Sequence, residues 1–218
     1  MDKNPVLLIH GLDDTAAVFH RMAPYLSDRG WSVYDISLIP SNATVGIDLL
    51  AEQLRDYIEQ TFSPGQPFDL LGFSMGGIVS RYYIQRLGGI ERVGRFISLA
   101  SPNNGTFTAY WYNRPGCIQM RPNSRFLRAL NQDAEMLAAL NFTCIWTPFD
   151  LMILPADSSR MPIGKQVRLP VLTHPQMLTE MASLEAVIAA LSEPLKHRDR
   201  QFQSTPDRQK LPLNERNT

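Results

Sequence analysis

Cysteine is nearly absent: of 218 residues only Cys117 and Cys144 carry thiols. Two cysteines cannot staple a chain of this size, so a disulfide scaffold is excluded; in a reducing compartment both would stay free thiols, and no bridge is predicted. An excess of either charge is missing too. Lys plus Arg and Asp plus Glu number 21 each, for a formal net charge of zero, so nothing favours a polyanion and nucleic acid is not expected as a partner. Long apolar runs are missing as well, which leaves only peripheral contact with a membrane or lipid surface. Nor does Met1-Asp2-Lys3-Asn4-Pro5, ahead of an apolar run that begins at Val6, leave room for the apolar centre of a signal peptide, so a cytoplasmic location is expected. No internal linker divides the chain, and 44% hydrophobic content is enough for one substantial core. One domain over residues 1–191 is expected, as a monomer, followed by a polar tail over 192–218 that has few apolar anchors and is expected to be mobile.

What is present is organised around Phe68-Asp69-Leu70-Leu71-Gly72-Phe73-Ser74-Met75-Gly76-Gly77, an apolar run that ends in a glycine-bracketed serine. Gly-x-Ser-x-Gly suits a serine at the apex of a sharp strand-to-helix turn, where the backbone is strained and bulky neighbours would collide. Three fixed positions recur by chance in about one chain in ten of this length, so the flanks carry the argument. Residues 68–73 read as a buried strand, Ile78, Val79, Tyr82 and Leu87 have helical spacing, and Gly88-Gly89 would stop that helix.

The rest of the chain alternates in the same way. Val6-Leu7-Leu8-Ile9-His10 reads as a strand buried on both faces, broken by Gly11-Leu12-Asp13-Asp14. Phe19, Met22, Ala23 and Leu26 predict a helix, and residues 31–36 a second strand. Ile47, Leu50, Leu54, Ile58 and Phe62 predict a long helix ended by Pro64-Gly65. After the elbow come a strand over 95–100, a turn cluster Ser101-Pro102-Asn103-Asn104-Gly105, and an irregular stretch over 106–141 with Tyr110, Trp111 and Tyr112 adjacent. That stretch reads equally as a partial cap over the site or as a surface excursion, with one helix through Phe126, Leu127, Leu130 and Met136. Strands over 143–147 and 166–172 follow, then a helix with Met177, Leu178, Met181, Leu184, Ile188 and Leu191 on its apolar face. Alternating strands and helices predict an α/β fold with a doubly wound, mainly parallel six-stranded sheet and helices on both faces.

Ligands in such sheets sit at the carboxyl ends of the strands, where Ser74 should lie. A serine hydroxyl needs a base, and the base needs an acid to hold its tautomer. His197 lies in the tail, His20 on the first helix and His10 at the end of the first strand; only His174 follows a strand within a loop, with Pro175 behind it to open a helix. For the acid, Asp150 follows its strand within a few residues, Asp157 lies deeper in a polar loop where a turn role is usual, and Asp133 precedes the strand. The order Ser74, Asp150, His174 suits this fold. The backbone amides of Leu12 and Met75 occupy the positions where an oxyanion would be received.

The blocks Pro5-Val6-Leu7-Leu8-Ile9-His10-Gly11, Gly72-Phe73-Ser74-Met75-Gly76-Gly77 and Ala100-Ser101-Pro102-Asn103-Asn104-Gly105-Thr106, with Asp150 then His174, resemble the α/β-hydrolase superfamily and most closely its compact bacterial lipases. The likeness runs from about Val6 to Leu191. It implies a nucleophile at Ser74, an acid at Asp150, a base at His174 and oxyanion donors at Leu12 and Met75. It implies a serine carboxylic-ester hydrolase, a lipase or esterase acting on acyl glycerides or related lipid esters with no metal or organic cofactor. An acyltransferase or thioesterase would share these residues, and a non-catalytic binding protein would share the fold.

Overall fold

The structure, a computed structural model, describes residues 3–196. His197 and most of the tail that was expected to be mobile lie outside the described residues. Val6–Ile9 forms β1 and is buried at every position, as an apolar run without alternation must be when both sheet faces are covered. Its side chains still divide by parity. Leu7 and Ile9 enter one core with α2 (Ile47–Thr61) and α3 (Met75–Arg86), whereas Val6 and Leu8 enter a second with α1 (Met22–Ser27) and α6 (Met181–Leu191). The other strands are β2 (Val33–Ile36), β3 (Phe68–Phe73), β4 (Val93–Leu99), β5 (Asn141–Trp146) and β6 (Lys165–Arg168). All neighbours pair in parallel, in the order β2-β1-β3-β4-β5-β6. This is the expected doubly wound sheet, and its strand order reverses between β1 and β3, the crevice where such sheets receive ligands.

One carboxylate is fully buried inside the sheet. The β3–β4 register shifts between Phe68 and Leu70, and the fully buried Asp69 fills the gap. Its Oδ1 accepts from the Arg95 amide at 2.9 Å and from Asn4 at 3.1 Å, while its Oδ2 pairs with the Arg95 guanidinium at 2.8 Å. Both oxygens are thereby engaged, which a buried carboxylate requires.

Several element boundaries differ from those the spacing predicts. The first helix is two pieces, a 3-10 turn over Ala16–Phe19 and then α1. The last strand ends at Arg168 rather than Leu172, because Pro170 has no N–H to donate to a ladder. The helix expected to reach Met136 is α5 (Arg125–Gln132), which stops where Asp133 meets Arg86 at 2.5 Å; a 3-10 turn over Ala134–Ala139 then carries Met136 outward. The final apolar run is also broken. Pro175–Leu178 is a 3-10 turn capped by His174, and α6 begins afresh after an extended Glu180. Within 106–141 lie a 3-10 turn over Phe107–Trp111, α4 (Pro115–Gln119) and α5, with Cys117, Met120, Leu127 and Leu130 buried in the α2–α3 core. The excursion is anchored to the body by these residues.

Candidate active site

Ser74 stands between the last residue of β3 and the first of α3, with φ +54° and ψ −125°. A non-glycine residue is strained there, and the neighbours hold it. The Ser74 amide donates to Leu99 O at 2.9 Å, and the Gly77 amide donates to Ser74 O at 3.0 Å. The glycines are needed for space. A β-carbon on Gly72 would stand 2.5 Å from Gly76 O, one on Gly76 would run into the carbonyls of Ile9 and His10, and one on Gly77 would run into the Ser101 hydroxyl. Close packing of β1, β3 and α3 therefore creates the turn.

The loop after β1 approaches the same point. A β-carbon on Gly11 would lie 3.0 Å from the Ser74 β-carbon, which puts Leu12 beside the serine. Met75 is the first residue of α3, so its N–H has no partner within the helix. Among the described residues, nothing accepts from the Leu12 or Met75 amide. Two unengaged donors at a helix start and a neighbouring loop suit a developing negative charge.

Asp150 and His174, 24 positions apart, are brought together: His174 Nδ1–H donates to Asp150 Oδ2 at 2.7 Å. Oδ1 of the same carboxylate accepts from the amides of Met152 and Ile153, both at 2.9 Å. Asp150 and His174 are both buried. The Thr147 hydroxyl, at the exit of β5, donates to Val171 O, and this ties the acid-bearing loop to the loop that delivers His174. The imidazole also lies against the Phe73 ring, centroids 4.8 Å apart, which places it over the residue before Ser74.

The rival residues are engaged elsewhere. Asp157 is exposed in the first turn of a 3-10 helix over Ala156–Ser159, and Asp133 pairs with Arg86. His20 is exposed. His10 is fully buried, with Nδ1 at 2.8 Å from Gly11 O and Nε2 accepting from the Leu38 amide at 2.9 Å. Burial pulls its pKa below the usual value, in keeping with a neutral ring that has both nitrogens occupied. Cys117 and Cys144 are buried and unpaired, and burial pushes the Cys144 thiol up to about 12.

Two residues at this edge escaped the sequence reading. Asp14 is half-buried, and its Oδ2 lies 3.3 Å from where a β-carbon on Gly11 would stand. Burial pushes its carboxyl above the ordinary range, against the pull of His10 and His174. Only its place directly after a glycine loop could have drawn attention to it. Arg81, on α3, is completely buried and has no carboxylate partner. Its guanidinium donates to the carbonyls of Asn103 and Leu130 and to the Asn131 side chain, between 2.8 and 3.3 Å. Asn103 in turn donates to the Ser98 hydroxyl and to Ser159 O. Its only sequence signal is a charge within an otherwise apolar helix face.

Among the described residues no three His, Cys, Asp or Glu side chains group as metal ligands. A cavity of about 330 Å³ between Asn4, Pro67, Arg92, Gly94 and Leu195 opens at the amino ends of the strands, the edge opposite Ser74, and none of the groups above reaches it.

A family model described as palmitoyl protein thioesterase matches residues 5–123, more than half the chain; this region includes Leu12, Ser74 and Met75 and ends before Asp150. Proteins named "Probable oxidoreductase EphD" from Mycobacterium tuberculosis and Mycobacterium bovis are 29% identical over 150 residues, covering 62% of this chain and 24% of theirs. The chain thus spans about a quarter of the length of the curated relatives it matches. Among solved structures, the mature lipase BlEst2 of Bacillus licheniformis aligns with a TM-score of 0.70 at 15% identity over 87% of this chain and 92% of that one. Lipase B of Aspergillus fumigatus aligns at 0.74 with 17% identity, over 88% and 53%. The bromoperoxidase of Bacillus anthracis aligns at 0.67 with 16% identity, over 88% and 92%. At such identities these structures speak for the fold, and they agree on the α/β-hydrolase architecture. With the family match running from β1 through the serine elbow to α4, the chain belongs to the palmitoyl protein thioesterase family of the α/β-hydrolase superfamily.

Proposed function

We propose that the protein hydrolyses fatty acyl esters and thioesters through an acyl-enzyme on Ser74, with His174 as base, Asp150 as acid and the Leu12 and Met75 amides as oxyanion donors. The observation that carries this reading is the buried 2.7 Å bond from His174 to Asp150 at the same sheet edge as a serine held at φ +54°. The Ser74 hydroxyl attacks the acyl carbonyl carbon and its proton passes to His174 Nε2, while Asp150 keeps the other ring nitrogen protonated. Charge on the carbonyl oxygen is received by the two amides, and the tetrahedral adduct collapses to expel the leaving group. An alkoxide takes the proton back from the imidazolium as it leaves; a thiolate, far less basic, departs more readily and the imidazolium gives up the same proton to it or to solvent, so that Nε2 is free again. Water then loses a proton to Nε2, attacks the acyl carbon, and frees the acid and Ser74. None of these steps calls for a metal or organic cofactor.

The family match favours the thioester as well as the oxygen ester. For the acyl part, Tyr110, Trp111, Tyr112, Ile118, Leu151 and Met152 are all exposed on segments that leave the carboxyl edge, while Ile153 packs inward. A chain laid against them would bind more tightly by up to about 0.8 kcal/mol per buried methylene, so rates should rise with acyl length. The test is a fluorophosphonate probe together with p-nitrophenyl esters from acetate to palmitate, a palmitoyl thioester and emulsified triglyceride. We expect the probe on Ser74 alone, loss of roughly four to six orders of magnitude in Ser74→Ala, and kcat/KM rising toward palmitate. Labelling of another serine would overturn the mechanism; a maximum at acetate would overturn the lipid substrate.

A further inference from the structure

The segment over residues 106–132 contains Arg114, Arg121, Arg125 and Arg128 and no Asp or Glu, within a chain whose net charge is zero. Four of its five aromatic side chains face outward, Trp111 68% exposed, Phe107 59%, Tyr110 55% and Tyr112 45%, while Phe126 packs inward on Tyr82. Arginine and aromatic side chains are interleaved here, with the Arg114 guanidinium over the Tyr112 ring and that of Arg121 over the Tyr110 ring, each 4.7 Å from the centroid. Arg114 approaches Asp13 at 3.9 Å, both side chains remaining about a third or more exposed. Among the described residues no acid pairs with Arg121, Arg125 or Arg128.

A second exposed strip lies alongside. Leu151 is 74% and Met152 46% exposed, and the two strips are hydrogen-bonded to each other. The hydroxyls of Thr106 and Thr108 donate to Met152 O at 3.1 and 2.6 Å, the Phe107 amide donates to Leu154 O at 2.8 Å, and the Leu154 amide donates to Thr106 Oγ1 at 2.8 Å. The Met152 amide also holds Asp150. A rigid ledge of Trp, Tyr, Phe, Leu and Met therefore adjoins the site, bordered by cations.

We infer that this ledge docks the protein on an anionic membrane surface, with the aromatic side chains at headgroup depth and Arg114 and Arg121 against the lipid phosphates. Trp and Tyr have an apolar body and a polar tip that fit the interface, and guanidinium groups reach upward from it. A positive segment on a neutral molecule selects anionic over zwitterionic lipid. Among the described residues no helix is long and apolar enough to cross a membrane, so contact through helices there is made at the surface.

The full chain, as wild type and as Ser74→Ala, is sedimented with phosphatidylcholine vesicles and with vesicles containing about a third phosphatidylglycerol, a lipid content in the anionic regime. We expect capture by the anionic vesicles only, weakening as salt shortens the screening length. Each arginine brought to such a surface contributes about fivefold in partition, so Arg114→Gln with Arg121→Gln should lower capture about 25-fold. Trp111→Ala should also reduce it, and the blue shift of tryptophan emission on vesicles should disappear in Trp111→Phe. Equal capture by Ser74→Ala keeps the docking face standing even if the ester reading fails. The inference is overturned by no capture, by equal capture on neutral lipid, or by capture that none of the three substitutions reduces. It is also overturned by a wild-type dimer that these substitutions dissociate, or by an oligonucleotide bound more tightly than vesicles.

Discussion

Two carboxylates follow β5 before β6, and their surroundings separate them, since it is Asp150 that meets the imidazole. Asp150 is buried and accepts from Met152, Ile153 and His174, so all its strong acceptor directions converge on defined donors. Asp157 is exposed in a 3-10 turn, where an acid near the amino end is worth only tenths of a kcal/mol. An amide at position 150 cannot accept in both directions, and it would misplace the ring proton. Asp150→Asn is therefore expected to lower kcat/KM by about 10³ to 10⁴-fold, and Asp157→Asn by less than about twofold. Thermal melts measured on the same samples separate chemistry from folding. A larger loss at Asp157 would reassign the acid.

At the scale of elements, the turn between β3 and α3 is made by contact between backbones. Gly76 sits against the carbonyls that end β1, whereas Gly65, φ +74°, has nothing within 4 Å of its would-be β-carbon. Alanine at Gly65 meets only the left-handed penalty of about 1 kcal/mol, while alanine at Gly76 must push β1 away from α3. Gly76→Ala is expected to cost roughly 3 kcal/mol or more, read from urea unfolding midpoints, with Gly65→Ala as the control. Similar costs for the two would mean that the turn tolerates separation of its elements. Breaks in the helices belong to this scale too. Met177 to Leu191 has the spacing of one apolar helix face, but the chain turns at Thr179 and Glu180, since the same run must bring His174 to Asp150 and still lay α6 on the sheet.

Over the whole molecule, buried polar groups join the layers. Arg81 clamps α3, whose first turn adjoins Ser74, to the loop at Asn103 and to the end of α5. Burial pulls its guanidinium down to about 10, so it stays charged at neutral pH and depends on those carbonyls. His10 joins β1 to the segment after β2 through Leu38. Its pKa is lowered in the folded protein, so between that value and the unfolded one near 6.5 the unfolded chain binds the extra proton. The contribution of the neutral ring is present above about pH 6.5 and is lost as pH falls through that value toward the folded one. Unfolding free energy measured from pH 8 to pH 5 should decline more steeply in the wild type than in His10→Gln, although the variant is less stable at pH 8. Parallel curves would mean that His10 titrates alike in both states.

The sequence by itself determined the sheet, the serine elbow and the placing of Asp150 and His174 each just past a strand, while their pairing is a tertiary contact. Runs such as Val6 to Ile9 state burial on both faces, glycines at 72 and 76 state close approach, and position after a strand states which edge a residue reaches. These signals are local, and each is written within a few residues of the chain. The tertiary structure alone decided where helices stop, that His10 has both nitrogens engaged, that Asp14 stands against the Gly11 loop and Arg81 against Asn103 and Leu130, and that the strips at 107–112 and 151–152 form one ledge. Those features depend on contacts between segments tens of residues apart, such as Thr108 with Met152, and neither spacing nor composition records the path that brings them together.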